Sequence, residues 1–150
     1  MKNLFNAACV DEIHRRIRAL QAGSGRQWGK MNLAQMLAHC SNGLEMAAGK
    51  IRPRRALMGR IIGRAIKRAV VRDDKPMYRN SPTAKELLVA ENGDLEAERA
   101  RLSALVDRFV AHGPAGCTSH PHPFFGSLSP DEWAILMYKH LDHHLRQFGA

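Results

Sequence analysis

The stretch Ser129-Pro130-Asp131-Glu132-Trp133-Ala134-Ile135-Leu136-Met137-Tyr138-Lys139-His140-Leu141-Asp142-His143-His144-Leu145-Arg146-Gln147-Phe148-Gly149 decides the fold class. A serine at the N-cap accepts from the free amides of a first helical turn. A proline at the next position loses nothing by lacking an amide proton, and a glutamate three residues after the cap can reach back to it. These signals predict a helix over 129–148, with Gly149 just past its end. Trp133, Leu136, Met137, Leu141 and Phe148 recur at helical spacing and form its apolar stripe. Lys139, Asp142 and Arg146 fall on the side assigned to water.

Three more segments carry the same periodicity. In 94–112, Leu95, Leu102, Leu105, Val106 and Phe109 point inward and Gly113 is the stop signal. In 32–48, Asn32 is a cap with Gln35 three residues on, and Leu33, Met36, Leu37, Cys40, Leu44 and Ala47 form the apolar face. In 6–21, Val10, Ile13, Ile17 and Leu20 make one stripe, closed by Gly23-Ser24-Gly25. Between the second and third of these helices, 57–71 is ambiguous and fits an amphipathic helix. Residues 76–90 read as an extended loop with a turn at Asn80-Ser81-Pro82, and Leu87-Leu88-Val89 is too weak a signal for a strand. The pattern predicts an all-α protein of one domain, 1–150. Its architecture is an up-and-down four-helix bundle with a long crossover between the second and third helices.

The composition agrees. At 45% apolar and 25% charged residues the chain is far from a disordered composition. It has no 18-residue uncharged apolar run, which excludes a transmembrane helix, and its first residues lack a secretory pattern, so a cytoplasmic protein is expected. Three cysteines, Cys9, Cys40 and Cys117, are too few and too irregularly spaced for a disulfide framework or a cysteine zinc cluster. The net charge is +9, and residues 50–75 hold ten Lys or Arg against two Asp. Such a patch attracts nucleic acid, anionic lipid or an acidic substrate. The segment lacks aromatics for stacking bases, and a packing or dimer helix with a solvated Arg face is the simpler reading.

Eight histidines are many for 150 residues, and His140, His143 and His144 crowd the last helix. His140 and His144 lie within about 40° of each other, on the side of Trp133 and Met137, while His143 sits at the stripe's edge. Two imidazoles one turn apart on a buried face form a bidentate metal clamp. Core histidines satisfied by a carbonyl or a carboxylate would show the same spacing. His39, near the middle of the second helix and one turn before Gly43, is a third inward candidate open to the same two readings. Three neutral imidazoles suit zinc, nickel, cobalt or iron better than magnesium or calcium, and they leave a coordination position for water or substrate. Gln147, Asn42 and Glu45 have the spacing to orient the rings from outside. His122, beside Phe124 and Phe125, either lines a pocket mouth or belongs to a loop packed on the last helix.

Three runs are shared with a known family: His122-Pro123-Phe124-Phe125-Gly126, Glu132-Trp133, and Tyr138-Lys139-His140-Leu141-Asp142-His143-His144-Leu145-Arg146-Gln147-Phe148-Gly149. With Trp28-Gly29-Lys30-Met31, Gln35-Met36-Leu37-Ala38-His39 and Asn80-Ser81-Pro82-Thr83, they make the chain resemble an uncharacterised branch of the DinB/YfiT-like superfamily, over residues 10–149. The resemblance implies a four-helix bundle with one divalent metal ion, commonly zinc or nickel. Its ligands would be His39 from the second helix and the pair His140 and His144 from the last. His143 falls where that family does not usually place a ligand. The resemblance further implies a homodimer and thiol-dependent transfer with a low-molecular-weight thiol, or metal-assisted hydrolysis of a small molecule. The basic 50–75 segment is not part of the shared motif. It supports an alternative, a non-enzymatic binding module for nucleic acid, anionic lipid or a partner protein.

Overall fold

A computed structural model describes residues 1–79, 81, 83–90 and 93–150. Among the described residues the regular structure is five α-helices, α1 (Ala7–Ala19), α2 (Leu33–Ala47), α3 (Leu57–Val70), α4 (Leu95–His112) and α5 (Pro130–Gln147), with 3₁₀ turns at Lys85–Leu87 and Gly113–Gly116 and no strand. The helix starts are those the side chains dictate. Asn6, Asn32, Asp94 and Ser129 each accept from first-turn amides, and Asn32–Gln35 and Ser129–Glu132 close reciprocal capping boxes.

α2 packs along α4 and α5, and α1 packs against the same two helices. Ile13 and Ile17 of α1, Met36 and Leu37 of α2, and Leu102 and Val106 of α4 are fully buried where these faces meet, with Trp133, Leu141 and Leu145 of α5 nearly so. Each such side chain withdrawn from water is worth about 1.5–3 kcal/mol, which offsets the ordering entropy of its helix. The ambiguous 57–71 segment is thus a fifth helix, α3. The 76–90 segment is largely irregular with a 3₁₀ turn at Lys85–Leu87, in place of the weighed strand. Asn80 and Pro82 of the expected turn lie outside the described residues.

One expectation for α5 is overturned. Lys139 and Asp142 do not face water: they are 6% and 8% exposed, whereas Arg146 is exposed. Periodicity alone shows one apolar stripe, but α5 is covered on a second side as well. There Lys139 Nζ donates to the carbonyls of Val70 (2.7 Å) and Asp73 (2.8 Å), which fastens the chain leaving α3 onto α5. Asp142 sits between Arg16 (2.7 Å) and Arg146 (2.9 Å), the pairing a buried carboxylate requires.

Candidate metal centre

His39 on α2 faces His140 and His144 on α5. The three ring centroids form a near-equilateral triangle of 4.7–4.8 Å sides, with the rings mutually edge-on at 68–85°. One donor nitrogen from each lies within 4.8 Å of the others, so the group could hold a metal ion. The Nε2 atoms of His39 and His140 are 2.9 Å apart. Two nitrogens bound tetrahedrally to one ion at ~2.0–2.1 Å stand about 3.3 Å apart, so the cluster is already near ligating dimensions.

The partners of the other ring nitrogens fix the tautomers. His39 Nδ1 is 3.0 Å from the Leu87 carbonyl, which can only accept; Nδ1 therefore carries the proton and Nε2 a lone pair. His144 Nδ1 is 2.8 Å from Gln147 Oε1, and Gln147 Nε2 donates to the Trp28 carbonyl at 2.7 Å, which sets the amide's orientation. His144 Nε2 is then also a lone pair. Among the described residues, His140 Nδ1 is buried without a partner. The ring has room because α2 carries Gly43 opposite it: a β-carbon there would stand 3.0–3.1 Å from the His140 ring atoms. With His39 Nε2 a lone pair, the 2.9 Å contact is made by a proton on His140 Nε2 or, with that proton moved to Nδ1, is a gap suited to a cation.

Burial is the leading cause of a lowered pKa at all three histidines. It takes His144 to about 3 and His140 well below the ordinary value, the latter helped by the neighbouring His144 and His39. The rings are neutral at pH 7, as ligation needs.

The remaining candidates divide. Gln147, a candidate by spacing, meets His144 Nδ1 through Oε1 at 2.8 Å. Asn42 and Glu45 accept from Arg101 on α4, and among the described residues neither hydrogen-bonds an imidazole. His143 is half-buried, meeting the His144 ring (5.0 Å) and the Trp28 ring (5.6 Å), with a hydrogen bond to the Met77 backbone. Arg79 lies 4.1 Å over Trp28. His122 Nδ1 accepts from the amides of Phe124 (3.1 Å) and Phe125 (3.2 Å), so its proton is on Nε2. Its ring stacks on Phe125 at 4.7 Å, and burial, with Arg55 adding to it, lowers its pKa to about 4. Leu87 and Trp28 were not foreseen as site residues. Their role is played by carbonyls, and nothing in a side-chain pattern marks a carbonyl. Residues of the crossover, Met77, Arg79 and Leu87, thus reach the centre although they are far from its ligands in sequence.

The model of the family described as protein of unknown function (DUF1569) matches residues 3–150. The chain belongs to the DUF1569 family. No curated protein and no solved structure matches it.

In this DUF1569 protein a glycine's backbone bears directly on the centre at Gly29. Its φ is +80°, and a β-carbon there would collide with the Gln147 side-chain amide. Gly29→Ala is therefore expected to push Gln147 off both Trp28 and His144. Loss of such an outer partner costs ~10–100-fold in metal affinity. Competition of the variant against a chromogenic chelator measures this, and unchanged affinity would remove Gln147 from the account.

Proposed function

We propose that this protein is a metal-dependent enzyme of DinB/YfiT-like four-helix-bundle type. In this reading α1, α2, α4 and α5 form the bundle, and His39, His140 and His144 hold one divalent ion, zinc or nickel. The observation that carries the reading is the convergence of three neutral imidazoles, His39 and His144 buried and His140 partly so, with the tautomers of His39 and His144 fixed so that Nε2 carries the lone pair. All-nitrogen donors suit a borderline-soft ion better than magnesium or calcium.

When bound, such an ion supplies Lewis-acid activation of a thiol or a water. The chain's own residues do the rest. The Leu87 carbonyl and Gln147 keep two rings aimed inward. Three neutral ligands leave the ion's charge uncompensated in a buried site, which favours an anionic partner such as a thiolate. His122, with its proton on Nε2, can donate a hydrogen bond, and Phe124 and Phe125 supply an apolar wall beside it. The reaction we assign is thiol-dependent transfer to, or hydrolysis of, a small molecule. Three free cysteines are consistent with work in a reducing cytoplasm. The assembly we expect is a homodimer, the commonest symmetric form.

Elemental analysis of protein purified without an affinity tag tests the first half, with about one ion per chain expected. A screen of low-molecular-weight thiols against generic electrophiles, run with and without chelator, tests the second. Turnover insensitive to chelation would overturn the metal's role. Stoichiometric metal without thiol chemistry would leave hydrolysis as the reaction.

A further inference from the structure

α3 inverts the usual rule for a surface helix: it buries its glycines and exposes its large apolar residues. Gly59 and Gly63 lie flat on the backbone of Phe124, so close that a β-carbon at Gly59 would stand 2.6 Å from the Phe124 carbonyl oxygen. Leu57 and Ile61 are each 76% exposed, Met58 57%, and Ile62 and Ile66 are also exposed. The helix cannot roll to hide them. Ala56 N donates to the Pro123 carbonyl at 2.9 Å, and Lys67 Nζ is pinned to the Ser127 carbonyl (3.1 Å) and to Glu132 (2.9 Å).

The apolar stripe has a charged margin. At about 100° per residue, Arg60, Arg64 and Arg68 form a row along one edge of Leu57 and Ile61. α3 contains no acidic residue. Among the described residues, Arg60, Arg64, Arg68 and Arg72 are exposed and join no ion pair.

We propose that α3 is an interfacial helix that seats this protein on an anionic lipid surface, with Leu57, Met58, Ile61 and Ile62 entering the headgroup–acyl boundary and the Arg row at the phosphates. That occupant satisfies both halves of the helix at once. A second copy of the chain would bury the apolar stripe but oppose two Arg rows with no acid on either helix. Nucleic acid would satisfy the arginines and leave the aliphatic stripe in water, since α3 offers no aromatic ring for a base. No helix of the described residues is long and apolar enough to cross a membrane, so the contact is superficial. The proposal does not depend on the metal reading.

The test is co-sedimentation of the full chain with phosphatidylcholine vesicles, alone or containing about a third phosphatidylglycerol. Binding is expected to the mixed vesicles and to weaken with salt. Ile61→Asp and Arg64→Glu, both at exposed positions, are each expected to lower it at least about tenfold while the circular-dichroism melt stays unchanged. Absence of sedimentation with anionic vesicles overturns the proposal, as does Ile61→Asp binding like wild type. Salt-sensitive binding to duplex DNA without vesicle binding would assign the face to nucleic acid instead. A dimer that Ile61→Asp dissociates, again without vesicle binding, would assign it to a second copy.

Discussion

Replacing His140 with alanine is expected to abolish stoichiometric metal binding, while His143→Ala, three residues along the same helix, retains it. His140 Nε2 approaches His39 Nε2 to 2.9 Å, and the His140 ring sits equally close to the rings of His39 and His144. Its loss leaves two donors and an opened cavity. Removing an outer-sphere partner already costs ~10–100-fold in affinity, and losing a ligand costs more, enough to empty the site in a chelator-buffered solution. His143 makes the comparison sharp. It meets His144 and Trp28 and hydrogen-bonds the Met77 backbone, so its removal loosens the cover and leaves the three converging nitrogens in place. Metal content per chain, measured on both variants from one preparation, decides the matter. An ion retained at wild-type stoichiometry in His140→Ala would remove the triad as its site.

What could be read beforehand was whatever side chains report by spacing. The caps at Asn32 and Ser129 and the apolar periodicity of α2 and α5 state where the helices begin and which way they face, and the inward direction of His140 and His144 follows. The burial of Lys139 and Asp142 did not follow, because a helix's second covered side is created by partners distant in sequence. For α5 these are Arg16 and the chain after Val70. The same holds for the orienting groups of the site. Gln147 was accessible because it lies on the same helix as His144, one turn away. Asn42 and Glu45 had comparable spacing, but α4 places Arg101 within their reach and takes both. The carbonyl of Leu87 is supplied by a 3₁₀ turn that periodicity does not register. Gly59 and Gly63 show the limit most clearly. An amphipathic helix over 57–71 reads as a packing or dimer helix with a solvated Arg face, yet the glycines permit the closer approach and so decide which side is buried.

Stripped of metal, the protein is expected to lose several kcal/mol of stability between pH 6.5 and pH 4.5, most of it above pH 5, where its carboxylates are still ionised. His144 in the folded chain is held to about 3 by burial, with His39 adding to the effect, and His122 to about 4 by burial and by Arg55. Unfolded, both return to about 6.5. A folded value below the unfolded one means that the unfolded chain binds the proton more tightly. The contribution to stability is therefore fully present above pH 6.5, and it declines as the pH falls toward the folded values. At 1.36 kcal/mol per pH unit, each histidine withdraws about 2–3 kcal/mol by pH 4.5. His39 and His140 shift in the same direction and add to the loss. Against a total stability of ~5–15 kcal/mol this is a large share. Bound metal changes the competition, since protons must first displace it from neutral imidazoles, and the drop should move to lower pH. Denaturant titrations at pH 8, 6.5, 5.5 and 4.5, with and without chelator, follow both curves. His122→Phe should flatten the chelated curve by its own share without altering the effect of metal, because His122 is not among the converging donors. A chelated protein equally stable at pH 7 and pH 4.5 would mean that these rings take up protons in the folded state at no cost, and would overturn the lowered values assigned to them.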